Sequence, residues 1–507
     1  MKPLTFSADI SVGSHSILSI TDFSIEQGKI NVLFGESGIG KTLISKSIFG
    51  LTDPDKLSIE INSLGYQDYL KTEQVEAFRK NGFFVLQEPS SQFNPSLTIQ
   101  EQLNEADLNS DLTEADILSG LWQSDQWKSL LPLYPQSFRP SGGEKQRFLL
   151  AMALKKMDNL ANQNQLKPET LFIFDEPSGS LDNGFRNAFL EQLISRYQQN
   201  RFTVLVITHD YTIIPWFKNH KSELTSNLSW LELTKTDSGE LQCNPFFPDE
   251  FISWQKKLSP MGLIKGVAVA DLNSGVICHG RQLSFQSGTK PIESLKLKSG
   301  TLTYLKAPSG VGKTTVARLL LGLYHGENLQ LSICGYEFTS LNTQVDWKKL
   351  IWGKKAGMAF QLADEALNPV STVKQVFTAL KNPKLKTNDQ ILDFLQPVFL
   401  KKLDEAFLSG QVKYLSGGQK QRLNLMRSIA SEPEVLILDE PLNGVDFRTI
   451  KMFTGILEKL LQNGTAILLI SHNEEIFDKL SFKENQIQLK ADELLKENAF
   501  TTEETES

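Results

Sequence analysis

Short apolar runs bounded by glycine, proline and polar residues recur along this chain, and several are followed by stretches with helical spacing. Ile30-Asn31-Val32-Leu33-Phe34 reads as a buried strand, and residues 42–49 as a helix ended near Gly50. Residues 82–86, 171–175 and 204–207 extend the series in the first half. Residues 301–305, 357–360, 435–439 and 467–470 do so in the second, with a helix predicted over 315–321. These strands are apolar almost without interruption, the pattern of a parallel sheet covered on both faces. The expected fold class is α/β, with ligands bound at the carboxyl ends of the strands.

The pattern occurs twice in nearly constant register. Lys41 to Lys313 is 272 residues, Gln87 to Gln361 is 274, and Ser141 to Ser416 is 275. Glu176 to Glu440 is 264 and His209 to His472 is 263, so the register shifts once, by 11 residues. The shift falls on the Asn/Gln-rich stretch 159–168, which reads as a surface loop inserted into the first half. A duplication this long means two similar domains. We place them at 1–240 and 266–507, joined by a proline-containing linker over 241–265.

Between each first strand and its helix lies a glycine-rich loop. In the first half it is Gly35-Glu36-Ser37-Gly38-Ile39-Gly40-Lys41-Thr42, and in the second Ala307-Pro308-Ser309-Gly310-Val311-Gly312-Lys313-Thr314. Glycines let backbone N–H groups turn inward around a phosphate, and the helix behind presents unpaired N–H groups and a partial positive charge. Lys41 and Lys313 are candidates to reach the β- and γ-phosphates, and the Thr42 and Thr314 hydroxyls to ligate Mg²⁺. Two nucleotide sites in one polypeptide follow. Ala307 departs from the pattern at a position held by Gly35 in the first copy. If that position needs a positive φ, strain of about 1 kcal/mol and a weakened second site are expected.

Residues 171–177 and 435–441 end in Asp-Glu-Pro. Asp175 and Asp439 are candidate Mg²⁺ ligands, while Glu176 and Glu440 are candidates to polarise the attacking water. His209 and His472 close the next strand in each half and are placed as γ-phosphate sensors. Gln87 and Gln361 each end an apolar run and precede an Asn-Pro pair by seven residues, which points to a shared task near the metal.

Leu415-Ser416-Gly417-Gly418-Gln419-Lys420-Gln421-Arg422, with its counterpart Pro140-Ser141-Gly142-Gly143-Glu144-Lys145-Gln146-Arg147, resembles the signature of the ATP-binding cassette superfamily. The resemblance covers nearly the whole chain. It implies two tandem ABC ATPase domains of the P-loop NTPase class, each a RecA-like mixed sheet core with a helical subdomain. It also implies that Ser141, Gly142 and Gly143 complete the nucleotide site of Lys313, and that Ser416, Gly417, Gly418 and Gln419 complete that of Lys41. The departures at Ala307, Pro140 and Glu144 then share one site, so one fast and one slower hydrolytic site are expected. An adenine-stacking aromatic is usual in the superfamily, and His15 and Phe285 are the nearest candidates. The stretch 87–103, with Gln87-Glu88-Pro89, Asn94-Pro95 and Thr98-Ile99, is similar to ATPase subunits of oligopeptide, dipeptide and nickel importers, as is Tyr134-Pro135-Gln136.

Composition narrows the setting. Of 507 residues, 40% are hydrophobic and 22% charged, with a formal net charge of −7, so the chain lacks the basic footprint of a duplex-binding protein. No nucleic-acid partner is expected. Cys243, Cys278 and Cys334 are scattered without metal-ligand spacing and read as free thiols. No apolar run reaches the ~18 residues that span a bilayer. The resemblance therefore implies two integral permease subunits and a solute-binding protein as partners, with the chain on the cytoplasmic face of the inner membrane and ATP and Mg²⁺ as cofactors. The competing reading is a soluble tandem ATPase acting on ribosomes or nucleic acid.

Overall fold

The protein is described by a computed structural model covering residues 2–13, 15–105, 114–122, 124–136, 139–177, 183–236, 240–308, 310–380, 382–399 and 402–493. It forms two compact units. The first comprises Met1–Lys257 with Ser416–Gly418 and Gly444–Thr449, and the second comprises Leu258–Leu415, Gln419–Asn443 and Ile450–Ser507.

The first unit is built on a ten-stranded sheet. In chain order its strands are β1 (Leu4–Val12), β2 (His15–Ile25), β3 (Ile30–Gly35), β4 (Ser58–Ile61), β5 (Leu64–Gly65), β6 (Phe83–Val85), β7 (Leu171–Asp175), β8 (Thr203–Ile207), β9 (Leu228–Lys235) and β10 (Leu241–Pro245). They lie in the order β5-β4-β1-β2-β10-β9-β3-β8-β7-β6. The stretch β9-β3-β8-β7-β6 is parallel, as the uninterrupted apolar runs require. Every residue of β3, β7 and β8 is buried. The pairing of β3 with β8 and of β8 with β7 brings the carboxyl ends of these strands to one edge, with Asp175 level with Ile207.

The second unit repeats this plan with its antiparallel part detached. Strands β11 (Ala268–Asn273), β15 (Ser294–Lys298), β17 (Gln330–Ile333) and β18 (Tyr336–Thr339) form a four-stranded sheet in the order β15-β11-β17-β18. The larger sheet runs β12 (Val276–Cys278), β13 (Arg281–Ser287), β22 (Gln486–Glu493), β16 (Leu302–Lys306), β21 (Ala466–Ile470), β20 (Val435–Asp439) and β19 (Ala356–Ala359), with β14 (Lys290–Ile292) beside β13. From β22 to β19 it is parallel.

Two expectations change. Residues 241–265 are not simply a connector: Leu241–Pro245 pairs antiparallel with β9, and Pro248–Lys257 is a helix whose Phe251, Ile252 and Gln255 are buried. The stretch 159–168 is not wholly a surface loop. The helix Gly142–Asn162 runs for 21 residues against 13 in its counterpart Gly417–Ile429, so the insertion begins as added helical turns. Asn159 and Leu160 are buried there, because leucine, alanine and lysine before them sustain the helix while the polar residues follow its end.

Candidate nucleotide sites

Each glycine-rich loop leaves the carboxyl end of a buried strand and runs directly into a helix, Lys41–Phe49 in the first unit and Lys313–Leu320 in the second. Gly35 adopts φ 148° and Gly40 φ 119°. A Cβ at Gly40 would stand 2.6 Å from Leu18 Cδ1, and one at Gly35 2.9 Å from the Leu233 carbonyl, so the loop's path excludes side chains at both places. Lys41 folds back along the loop, donating to the carbonyls of Gly35 (2.6 Å) and Glu36 (3.0 Å). Lys313 does the same to Ala307 (2.6 Å) and Pro308 (3.3 Å). The expected strain at Ala307 is absent: that residue does not adopt a positive φ, and among the described loop residues Gly310 and Gly312 carry the left-handed turns, at 80° and 116°. Ser309 lies outside the described residues.

The carboxylate pairs sit as the sequence places them. The Thr42 hydroxyl donates to Asp175 Oδ2 at 2.6 Å across 133 residues of sequence. Burial pushes the Asp175 carboxyl up to about 6, against the pull of Thr42 and Lys41, and its Oδ1 is buried with no hydrogen bond. Asp439 is likewise raised by burial, with the Thr314 hydroxyl and nearby cations opposing, and both its oxygens are buried without a hydrogen bond. An orphaned buried carboxylate oxygen next to a threonine hydroxyl fits a Mg²⁺ ion held by few protein groups and completed by phosphate and water. No cluster of three or more histidine, cysteine or acidic side chains suited to a metal occurs among the described residues.

Glu176 and Glu440 each adopt φ 49°, a left-handed conformation uncommon for any residue other than glycine and costly by about 1–3 kcal/mol. The turn is held by the next strand: the N–H of Glu176 donates to the Ile207 carbonyl at 2.9 Å, and that of Glu440 to Ile470 at 2.9 Å. Beyond this shared backbone the two sites differ. His209 Nδ1 lies 2.9 Å from Glu176 Oε1. Burial alone would raise Glu176, but His209, aided by Lys41, outweighs it and holds the carboxyl below its usual range. His209 is raised in return: burial opposes its charge, and Glu176 overcomes that. In the second unit His472 Nε2 stands 3.4 Å from Glu440 Oε1, which makes no hydrogen bond. Burial there lifts the Glu440 carboxyl to about 7, although the His472 N–H (3.1 Å) and the Ser471 hydroxyl (3.2 Å) donate to Oε2.

Gln87 and Gln361 follow β6 and β19 at the same edge of each sheet. Both are exposed, and neither hydrogen-bonds to a described residue, so the protein alone does not bring them onto Thr42 or Thr314. Ser141 caps the helix Gly142–Asn162, accepting from the Glu144 N–H at 3.3 Å while Glu144 Oε2 accepts from the Ser141 N–H at 2.7 Å. Such a reciprocal cap stabilises the helix start by about 1 kcal/mol and places a carboxylate there. Gln419 stands at that position in the second copy.

Sequence reading missed Arg281, whose Nη1 donates to the Gly310 carbonyl at 2.7 Å and braces the second loop from β13. It also offered Phe285 as an adenine platform. That ring is buried in the second core with Leu283, Leu295 and Leu489, so it is a packing residue. The side chain of His15 lies outside the described residues.

The sequence model of the family described as ABC transporter matches residues 18–178 and 292–443, more than half of the chain, and takes in both loops and both Asp-Glu pairs. The chain belongs to the ABC transporter family. Among its curated relatives is the nickel import ATP-binding protein NikE of Shigella boydii serotype 4 (strain Sb227), 34% identical over 192 residues, covering 37% of this chain and 69% of the relative. NikE of Escherichia coli O157:H7 matches to the same extent. Among solved structures, an RNase-L inhibitor aligns over 95% of this chain and 89% of its own, with a TM-score of 0.59 at 15% identity. A model of ribosome-bound archaeal Pelota and ABCE1 aligns over 96% and 78%, with a TM-score of 0.60 at 15% identity. At that identity the likeness is one of fold. This ABC protein is therefore an ATP-binding α/β protein with two cassettes and ATPase activity.

Proposed function

We propose that this ABC ATPase is the energy-supplying subunit of an importer for peptides, nickel or a related small solute. The observation that carries the transport reading is its 34% identity to a nickel import ATP-binding protein over 192 residues. The Gln87-Glu88-Pro89 and Asn94-Pro95 segment supports it. Among the described residues no helix is long and apolar enough to cross a membrane, so two integral permease subunits would supply the pathway and a solute-binding protein the cargo. The chain would then work as a peripheral subunit at the cytoplasmic face of the inner membrane.

In this reading each glycine-rich loop wraps the phosphates of one ATP, and Lys41 or Lys313 leaves the loop carbonyls to neutralise them. Thr42 with Asp175, and Thr314 with Asp439, would hold Mg²⁺, which would supply positive charge to screen the phosphate oxygens. Glu176 and Glu440 orient and polarise the attacking water, with His209 and His472 beside them as sensors of the γ-phosphate. The cassettes pair head to tail, Ser416 to Gln419 completing the Lys41 site and Ser141 to Gly143 the Lys313 site. ATP binding closes the pair and hydrolysis releases it. The fusion raises the effective concentration of each half for the other to about mM.

Affinity purification of the tagged chain from detergent-solubilised membranes tests this reading. Recovery of two integral membrane proteins with ATPase activity that rises in their presence is the expected result. Recovery of ribosomes instead, with no membrane protein, would establish the rival reading of a soluble tandem ATPase.

A further inference from the structure

The strand end that carries the exposed glutamine is held in different ways in the two cassettes. In the second, the signature helix Gly417–Ile429 holds it from outside the loop. The fully buried Asn424 donates its Nδ2 to the Phe360 carbonyl at 2.9 Å, one residue before Gln361. Gln421 Nε2 approaches the same carbonyl at 3.5 Å, and Arg427 Nη2 reaches the Met358 carbonyl at 3.4 Å. Just past Gln361, Lys420 Nζ contacts Asp364 Oδ1 at 2.8 Å. Residues 420, 421, 424 and 427 share one helix face, so the helix and the loop are strapped together along its first three turns.

In the first cassette most of that strap is missing. Leu149 and Met152 occupy the positions of Asn424 and Arg427, and the Gln146 amide is buried with neither atom hydrogen-bonded. Lys145 keeps a link near the loop, donating to Ser90 Oγ at 3.1 Å and the Gln136 carbonyl at 2.6 Å. The helix meets β6 otherwise at its start, through Lys156 to the Gly82 carbonyl at 2.7 Å. The loop instead closes on itself: Gln92 accepts from the Leu86 N–H at 2.7 Å and donates to the Phe84 carbonyl at 2.6 Å. Its counterpart in the second cassette is Ala366, which has no group to do this. An amide brace has been exchanged between loop and helix.

We propose that Asn424 and Gln92 are positioning residues for Gln361 and Gln87 respectively, acting on ATP hydrolysis without touching the nucleotide. The inference rests on the assignment of Glu176 and Glu440 as the water-polarising groups. An amide bonded to the strand-end backbone, at the Phe360 carbonyl in one cassette and at the Leu86 N–H and Phe84 carbonyl in the other, fixes where the glutamine side chain starts, and small misplacements of a catalytic group cost rate. The second cassette then moves its glutamine with the signature helix, whereas the first moves its glutamine with its own strand.

Steady-state ATP turnover of the full chain in two backgrounds tests this. Glu176→Gln leaves the Glu440 site reporting, and Glu440→Gln leaves the Glu176 site. Asn424→Leu is expected to lower kcat about tenfold in the Glu176→Gln background, with KM for ATP changed less than twofold, and to leave the Glu440→Gln background within twofold. Gln92→Ala should give the mirror result. Adding Ala366→Gln to Asn424→Leu rebuilds the first cassette's brace in the second and should recover most of the lost kcat, which a merely misfolded variant cannot do. Equal losses in both backgrounds, no loss in either, or failure of Ala366→Gln to rescue would overturn the proposal. Wild-type turnover in Glu176→Gln and Glu440→Gln singly would instead mark failure of the glutamate assignment, and the proposal would fall with it.

Discussion

His209 presents Nδ1 to Glu176 Oε1 at 2.9 Å, whereas His472 presents Nε2 to Glu440 Oε1 at 3.4 Å. The same two residue types, on the same two strand ends, thus form a tight charged pair in one cassette and a loose contact in the other. In the first the histidine outweighs burial and keeps the glutamate ionised. In the second burial prevails and the carboxyl is lifted to about 7. A water-polarising group that is ionised throughout the neutral range serves its site continuously, so most turnover is expected to come from the Glu176 site. Loss of such a group costs roughly 100-fold or more at its own site. Glu176→Gln should therefore remove the larger share of total ATPase activity and Glu440→Gln the smaller. Equal losses, measured by phosphate release at saturating ATP, would end the case for asymmetry.

Neither buried oxygen of Asp439 makes a hydrogen bond, although the nearby Thr314 hydroxyl favours its ionised form. Replacing it with the near-isosteric asparagine removes the buried charge. Asp439→Asn should stabilise the nucleotide-free chain by about 1 kcal/mol while abolishing hydrolysis at the second site. The second unit's calorimetric transition should rise by roughly 2–4 °C. A fall in that transition would show that Asp439 is supported by contacts of its own and is not waiting for a cation.

Much of the site was legible because its parts are local. A glycine-rich loop with lysine and threonine at its end, or an Asp-Glu pair closing an apolar run, is set by a few adjacent residues whose backbone demands are written in their types. Both loops, both carboxylate pairs and the parallel strands appear where the pattern puts them. What escaped depends on residues far apart in sequence. Thr42 and Asp175, 133 residues apart, are placed together only through the shared metal that their motifs imply, while Arg281 on the Gly310 carbonyl has no such motif to announce it. Gln92 and Asn424 brace the two strand ends from different elements, one from the loop and one from the helix, and single-position differences such as Ala366 for Gln92 or Leu149 for Asn424 show no pattern until the fold brings them to the strand end. Phe285 misled for a related reason: an aromatic in an alternating strand faces core or solvent according to a register that one residue changes.

Arg186 is the other long-range feature with a measurable consequence. It is 3% exposed, and its Nη1 contacts Asp210 Oδ2 at 2.7 Å and the Thr212 hydroxyl. Burial would raise the Asp210 carboxyl, but Arg186 and Thr212 more than offset this and hold it below its ordinary value of 3.8. A carboxyl depressed in the folded state contributes stability that is complete above its unfolded pKa and lost as pH falls through the lower folded one. Urea unfolding should therefore show this contribution intact at pH 7 and 5 and declining below about 4. Asp210→Asn removes the charge that Asp210 sets against a buried guanidinium and should cost about 3 kcal/mol at pH 7, with less acid sensitivity remaining. A loss under 1 kcal/mol would mean that the other partners of Arg186, Thr212 and Asn187 among them, suffice for it.

Glu144 supplies a test of the pairing itself. Its carboxylate caps the first signature helix at the position where the second carries Gln419, and so sets a negative charge at a helix start that the proposed arrangement aims at the phosphates of the Lys313 site. A helix N-terminus favours anions through its free N–H groups, worth about 0.3–1 kcal/mol each way. A carboxylate already there both uses an N–H and repels the incoming charge. Glu144→Gln keeps a side chain able to accept from Ser141 N–H and removes the repulsion. With turnover confined to the Glu440 site by Glu176→Gln, the added Glu144→Gln is expected to lower KM for ATP by about three- to fivefold. With turnover confined to the Glu176 site by Glu440→Gln, it should change little. Improvement in the second background rather than the first would place Ser141 with Lys41 in its own cassette, and head-to-tail pairing would have to be abandoned.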